Sequence, residues 1–314
     1  MRKNITQLLF VSVVLVTLLV TSCTNDNSGE TGKKDLDFKK GTTGLTMSFL
    51  PELPPVSLYN TYPLTVIVEY RNTGASDINN GVIYLTGFDE RYIPFDVTSQ
   101  TISGLEGKSA SNPDGVYREM AEFRATQVNI ENLENIDSFQ QIIRATACYL
   151  YASSAYPVVC IDPSYGRGVV TKKICEIKPI TLSGGQGAPV AITKIDEEMG
   201  GSRSGGANVI FRIYIKNMGK GTTFASSRGV TNCHSELTYY DVDTVTVDSV
   251  SFSDIELTCK PDVIRLEKGE GSTICSAQGS FGNGQDAYTT PLNIELSYGY
   301  RDSIETTVKI INLD

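Results

Sequence analysis

Tryptophan is absent from this 314-residue chain, and histidine occurs once, as His234. A single imidazole excludes multi-histidine metal sites and leaves any histidine-dependent catalysis to that one residue. Basic residues are the minority, 27 Lys and Arg against 36 Asp and Glu. The formal charge of −9 offers no basic footprint to nucleic acid, so that partner class is disfavoured. No Cys-x-x-Cys spacing exists, which removes zinc ribbons and thioredoxin-like sites. No long segment carries a convincing helical period, and beyond the N-terminus no apolar run is long enough to span a bilayer. What is present suffices for a folded body. Hydrophobic residues make up 40 % and charged residues 20 %, enough for real cores. The length suits roughly two domains.

The N-terminus reads as an export segment. Arg2 and Lys3 precede an almost uninterrupted apolar stretch from Ile5 to Val20, the pattern of a signal peptide. It ends in Leu19-Val20-Thr21-Ser22-Cys23, which resembles a bacterial-type lipobox. That resemblance implies lipidation of the Cys23 thiol as a thioether. The alternative is an uncleaved signal anchor with Cys23 incidental. Both place the rest of the chain outside the cytoplasm, attached to membrane at its N-terminus. Losing Arg2 and Lys3 with the segment takes the formal charge from −9 to −11. Such an acidic body does not adhere to anionic lipid unaided, so attachment falls to the anchor. Residues 24–43 are polar and without apolar periodicity, and read as a flexible tether.

The body is rich in period-two segments. Leu64, Val66, Val68 and Tyr70 alternate with Thr65, Ile67, Glu69 and Arg71, and Val209, Phe211, Ile213 and Ile215 alternate with Ile210, Arg212, Tyr214 and Lys216. Such alternation marks half-buried strands. The first runs into Asn72-Thr73-Gly74 and the second into Asn217-Met218-Gly219. Each is preceded by another extended segment, Leu45 to Leu50 and Val190 to Ile195. The halves also finish alike: Cys148-Tyr149-Leu150-Tyr151 leads through a polar turn to a strand at Pro157–Ile161, and Ser297-Tyr298-Gly299-Tyr300 leads likewise to Thr306–Ile311. Matching landmarks at matching ends predict an internal duplication. Ser138 to Ala147 is the best helical candidate, although its continuation looks like strand.

The expectation is an all-β fold of two tandem antiparallel β-sandwiches. The boundaries are 1–23 for the export segment, 24–43 for the tether, 44–180 and 188–314 for the sandwiches, and 181–187 for a linker. Gly87 to Gly115 is expected as an elaborated loop of the first. Strand-to-Asn-x-Gly exits in tandem sandwiches resemble the CARDB-type (cell-adhesion-related) immunoglobulin-like domains of bacterial and archaeal surface proteins. The runs 185–195 and 211–221 are also similar to surface proteins of uncultured archaea. The resemblance covers about residues 44–314 and implies an immunoglobulin-like adhesive or structural module. It brings no catalytic residues.

With Cys23 assigned to lipid, six cysteines remain: Cys148, Cys160, Cys175, Cys233, Cys259 and Cys275. In an exported chain these are disulfide candidates, with 15 possible connectivities. Cys160 with Cys175 and Cys259 with Cys275 are plausible local pairs, each contributing about 3 kcal/mol in the chain-entropy treatment. Three cysteines fall in each repeat, so complete pairing requires an inter-repeat bridge. Cys148 with Cys233 is the remainder, and the alternative leaves both free.

Chemistry-bearing patterns are sparse. Cys233-His234 places a thiol beside an imidazole in sequence, but a nucleophile needs its base brought alongside by the fold. Gly219-Lys220-Gly221-Thr222-Thr223 lacks phosphate-loop spacing and reads as a turn. The glycines of 200–206 fit a loop. Asp241, Asp243, Asp248 and Asp254 and the run Asp196-Glu197-Glu198 offer oxygens for calcium without a recognised loop pattern. Tyr70, Tyr149, Tyr151, Tyr298 and Tyr300 are expected to pack on strands. Tyr59, Tyr62, Tyr92 and Tyr165 fall in loops and could meet a glycan or protein. The reading is a non-enzymatic surface lipoprotein for adhesion, envelope structure or protein–protein contact, with no cofactor or metal and no ligand named. A glycan-binding accessory module is the alternative, against which the missing Trp counts. No spacing points to the paired carboxylates of a hydrolase.

Overall fold

The computed structural model describes residues 37–115, 118–130, 136–165, 173–201, 207–277 and 286–313. The export segment, Cys23 and most of the expected tether lie outside the described residues, as does most of 200–206. The body is built of strands. In chain order these are β1 (Leu45–Phe49), β2 (Ser57–Tyr59), β3 (Leu64–Asn72), β4 (Gly81–Thr86), β5 (Ser99–Ile102), β6 (Glu119–Ala125), β7 (Ser138–Ala155), β8 (Val158–Ile161) and β9 (Ile180–Thr181). The second half continues with β10 (Val190–Gly201), β11 (Ala207–Asn217), β12 (Thr222–Phe224), β13 (Thr244–Phe252), β14 (Ile255–Glu256), β15 (Thr258–Lys260), β16 (Val263–Arg265), β17 (Glu270–Ser276) and β18 (Tyr288–Ile311).

The alternating segments become β1, β3, β10 and β11, because period-two alternation gives each strand one apolar face to bury. In β3, buried residues alternate with half-buried ones from Leu64 to Val68. Three sheets result. A small one is ordered β1-β3-β6, a second β15-β17-β11-β10-β9, and a large one follows β14-β13-β18-β7-β4-β5. The expected all-β, antiparallel architecture is present, with one parallel exception between β18 and β2.

Two elements differ from the sequence reading. Ser138–Ala147, the helical candidate, is strand, since all 18 residues of β7 pair antiparallel with β18. The polar turn expected after Tyr300 is absent as well. Arg301, Asp302 and Ser303 continue β18 opposite Cys148, Ala147 and Thr146. A long pairing partner holds both segments extended, overriding local polarity.

The β7–β18 seam joins the repeats. One large sheet serves both, and Phe38–Asp314 forms one compact unit with a continuous apolar core drawn from both halves. Residues 181–187, expected as a linker, are tied into the body. Thr181 pairs with Lys194, the Gln186 side chain bonds Ile192 at both its amide and its carbonyl, and Gly187 N–H donates to Gly41 at 3.0 Å. Gly41 in turn donates to Gly184 at 2.7 Å, so the last residues of the expected tether are packed too.

The duplication is visible bond by bond. In the first half, the Asn72 amide donates to Ser76 O at 2.7 Å and its Oδ1 accepts Gly74 N–H at 3.1 Å and the Tyr151 hydroxyl at 3.2 Å. In the second, the Asn217 amide donates to Gly221 O at 2.8 Å and its Oδ1 accepts Gly219 N–H at 3.2 Å and the Tyr300 hydroxyl at 3.3 Å. Tyr151 and Tyr300 each accept one further N–H, from Ser76 and Gly221. Tyr149 and Tyr298 repeat the theme, accepting from Leu45 and Val190 at the starts of β1 and β10. Glycine is required at 74 and 219 because a Cβ there would collide with the hydroxyls of Tyr151 and Tyr300. The four tyrosines share one face of the large sheet and reach both smaller sheets, so both of those cover that same face.

Candidate functional site

All six expected cysteines pair. Cys160 bonds Cys175 and Cys259 bonds Cys275, with Cα atoms 5.7 and 3.9 Å apart. Cys148 bonds Cys233 across 6.5 Å, the inter-repeat bridge. Three disulfides indicate an oxidising, extracytoplasmic compartment. Cys233 therefore has no thiol to ionise beside His234. The His234 ring instead lies on Tyr84, with centroids 4.2 Å apart. Burial holds its pKa below the usual imidazole value.

The duplicated core leaves function to the places where the halves differ. The largest difference in the second half is the stretch 225–243 between β12 and β13, on the same edge of β18 as β13. In the first half the corresponding strand, β4, runs uninterrupted along β7. This insertion folds over the outer face of the large sheet. Phe224, Val230, Cys148 and Cys233 form a small buried cluster there, supported by Val82, Tyr84 and Leu150. The Tyr84 hydroxyl donates to Val230 O at 3.1 Å and accepts Asn232 N–H at 3.0 Å. Arg301 donates to Cys233 O at 3.1 Å. The neck is closed by Ala225 N–H donating to Asp241 O at 2.8 Å.

At its tip the insertion displays two aromatic rings. Tyr239 and Tyr240 are 71 % and 83 % exposed, their centroids 5.6 Å apart and edge-on. The Arg265 guanidinium of β16 lies 3.8 Å over the Tyr239 ring. Asp241 fixes the turn behind them, accepting the Thr238 amide and hydroxyl at 2.8 and 2.7 Å. Those two bonds hold its carboxyl below the usual range. Sequence reading passes over this pair because Tyr239 and Tyr240 stand in a polar stretch with no periodicity. The expected loop tyrosines lie elsewhere: Tyr59 ends β2 opposite Ile311 rather than standing in a loop, Tyr59, Tyr62 and Tyr165 are exposed, and Tyr92 packs partly against the core.

A second site flanks the Cys160–Cys175 disulfide. On one side lies a cleft of about 600 Å³ bearing Asp162, Tyr165, Lys173 and Ile174. The Asp162 carboxylate is buried, accepts the Ser164 amide and hydroxyl, and pairs with Lys173 at 2.5 Å. On the other side a cleft of about 220 Å³ is bounded by Val158, Cys160, Cys175, Lys178, Glu197 and Thr289. Glu197 is only 8 % exposed, and its Oε2 accepts Cys160 N–H at 3.3 Å. Its Oε1 is buried without a hydrogen-bond partner among the described residues. Desolvation raises this carboxyl from 4.5 to about 7.

The acidic residues considered for calcium do not converge. Asp196 pairs with Lys194 and Tyr214 on the face of β10 opposite Glu197. Asp248 accepts the Ser297 hydroxyl at 2.7 Å. Asp243 and Asp254 occupy turn positions with φ of 57° and 62°. Among the described residues, no three His, Cys, Asp or Glu side chains are grouped to hold a metal ion. Lys220 and Gly221 form the turn after β11, and the Gly221 N–H is spent on Tyr300 at 2.8 Å. No helix among the described residues is long and apolar enough to cross a membrane, and the apolar run 5–20 lies outside them. The chain matches no protein-family model and no curated protein.

Proposed function

We propose that this chain is a non-enzymatic surface lipoprotein whose immunoglobulin-like, CARDB-like sandwiches serve adhesion, envelope structure or protein–protein contact. The observation that carries this reading is the insertion 225–243. A disulfide, two bonds to Tyr84 and one from Arg301 hold it against the sheet, and its tip presents Tyr239, Tyr240 and Arg265. Tyr and Arg are the residue types that dominate binding hot spots, and a rigid display lowers the ordering cost of association. The lipobox-like end at Cys23 and the acidic body support N-terminal attachment, with the binding tip exposed beyond the membrane. Disulfide-bonded Cys233 supports the absence of a thiol catalyst.

Cross-linking on intact cells with the wild type and a Tyr239→Ala/Tyr240→Ala variant tests the reading. A partner captured by the wild type and lost with the variant is expected. Equal capture by both removes the insertion as the contact. Mass spectrometry of the mature N-terminus tests anchoring, with a diacylglycerol mass on Cys23 expected. An unmodified Cys23 on an intact N-terminus overturns lipidation and leaves the signal anchor. Paired exposed aromatics also suit sugar stacking, so a glycan array with the same two proteins tests the accessory-module alternative.

A further inference from the structure

We propose that Glu197 anchors a binding site for a cationic N–H donor, the amine or guanidinium of a basic side chain on a polypeptide partner. This inference goes beyond the reading above and rests on a different surface from the Tyr239–Tyr240 tip.

Ile195, Glu197 and Met199 share one face of β10 by strand alternation. Ile195 is fully buried, and the residue opposite Glu197 on β11 is fully buried Phe211. An apolar side chain is what this position calls for. A carboxylate there, with one oxygen unpaired, costs stability. Such a cost without structural return is what binding sites carry.

Glu197 lines a cleft of about 220 Å³, the size of one side-chain head group rather than of a whole drug-sized ligand, with its unpaired oxygen buried just beneath the surface. The lining is mixed, with Glu176, Lys178 and Thr289 beside Val158 and Ile180, and part of its apolar surface is uncovered. Val158 is 60 % exposed at this cleft, and Ile174, beyond the disulfide, is 73 % exposed. Exposed apolar side chains beside a desolvated charge are the anatomy of a protein contact. Asp162, the other buried carboxylate at this end, already has its cation in Lys173. Glu197 makes no ion pair among the described residues, Lys178 of the same cleft included, and the acidic body steers basic partners toward it.

The experiment uses the full chain in detergent, labelled with ¹⁵N-cysteine. The Cys160 amide reports directly, because it bonds Glu197. At pH 8, blocked lysine and blocked arginine amides flanked by leucine are titrated, with glycinamide, whose only cation is an α-amine, as control. The expected result is a saturable Cys160 shift with the basic side chains. It weakens at least tenfold in Glu197→Gln and is at least tenfold weaker with glycinamide. Gln is isosteric and keeps the Cys160 bond, and an unchanged or raised unfolding midpoint confirms that the variant folds. No saturable shift, an equal shift in the variant, or equal binding of glycinamide each overturns the proposal. Because Tyr239 and Tyr240 are untouched, failure here leaves the insertion reading standing, and the reverse.

Discussion

Replacing Glu197 by Gln should make the protein more stable at alkaline pH and leave it nearly unchanged in acid. The folded carboxyl titrates at about 7 against 4.5 for an unperturbed glutamate. A carboxyl whose folded pKa is raised binds its proton more tightly in the native state. Its stabilising contribution is complete below about 4.5 and is lost as pH climbs through about 7. A shift of this size corresponds to about 3.5 kcal/mol at roughly 1.4 kcal/mol per pH unit. Solvent reaching the carboxyl through the cleft reduces that to about 2 kcal/mol. Gln cannot ionise, so the variant avoids the loss. Lys178 and Glu176 line the same cleft, and the Asp162–Lys173 pair lies beyond the disulfide. These groups, like His234, are common to both proteins and cancel in the difference. Urea midpoints for both proteins between pH 5 and pH 8.5 measure it. The difference should grow by about 2 kcal/mol across that window, in favour of the variant. A difference that stays constant within about 0.5 kcal/mol refutes the desolvated carboxyl and the reasoning built on it.

Cys148→Ala/Cys233→Ala removes a cross-link spanning 85 residues, and should lower stability by about 4–5 kcal/mol in the chain-entropy treatment. Non-reducing peptide mapping of the wild type should recover the three pairs, and finding both cysteines alkylated without reduction would contradict the bridge. Tyr300→Phe strands the Gly221 N–H and one bond to Asn217, costing about 1–3 kcal/mol. Tyr151→Phe should cost a similar amount by thermal or urea unfolding, and a large loss at one corner with none at the other would break their equivalence. Gly299→Ala drives a methyl into the Phe224 ring, so a loss of about 1–3 kcal/mol is expected. A neutral outcome would show that the ring moves freely.

Much of the scaffold was legible because it depends on local rules. Period-two runs located β3 and β11, the extended segments before them located β1 and β10, and Asn-x-Gly exits located the two corners because that turn needs glycine beside a tyrosine hydroxyl. Counting three cysteines per repeat called for an inter-repeat bridge, and the two assumed local pairs left Cys148 and Cys233 as its candidates. The seam was not legible. Whether the polar stretch Arg301–Ser303 turns or continues depends on a partner strand about 150 residues away, which no local pattern encodes. Ser138–Ala147 misled for the same reason. Glu197 was visible only as one member of an acidic run, and its neighbours Asp196 and Glu198 disguised it. Strand alternation separates the three, and the series Ile195-Glu197-Met199 carries the signal that one acid faces inward. The insertion had no such marker, since its rings are placed by a disulfide and by Tyr84 from the other half.

The seam between β7 and β18 also bears on ancestry. Leu150 lies opposite Gly299, and the matched residues Tyr149 with Tyr298 and Tyr151 with Tyr300 are exchanged across that point. A dimer of identical single-repeat subunits joined along this strand would have its symmetry axis there and would meet itself with the same residue on both sides. This chain sets leucine against glycine. Within one polypeptide the two positions are free to differ, and here the space above glycine is filled by the Phe224 ring. A seam inside one chain therefore need not be self-complementary, and the insertion lies on its glycine side.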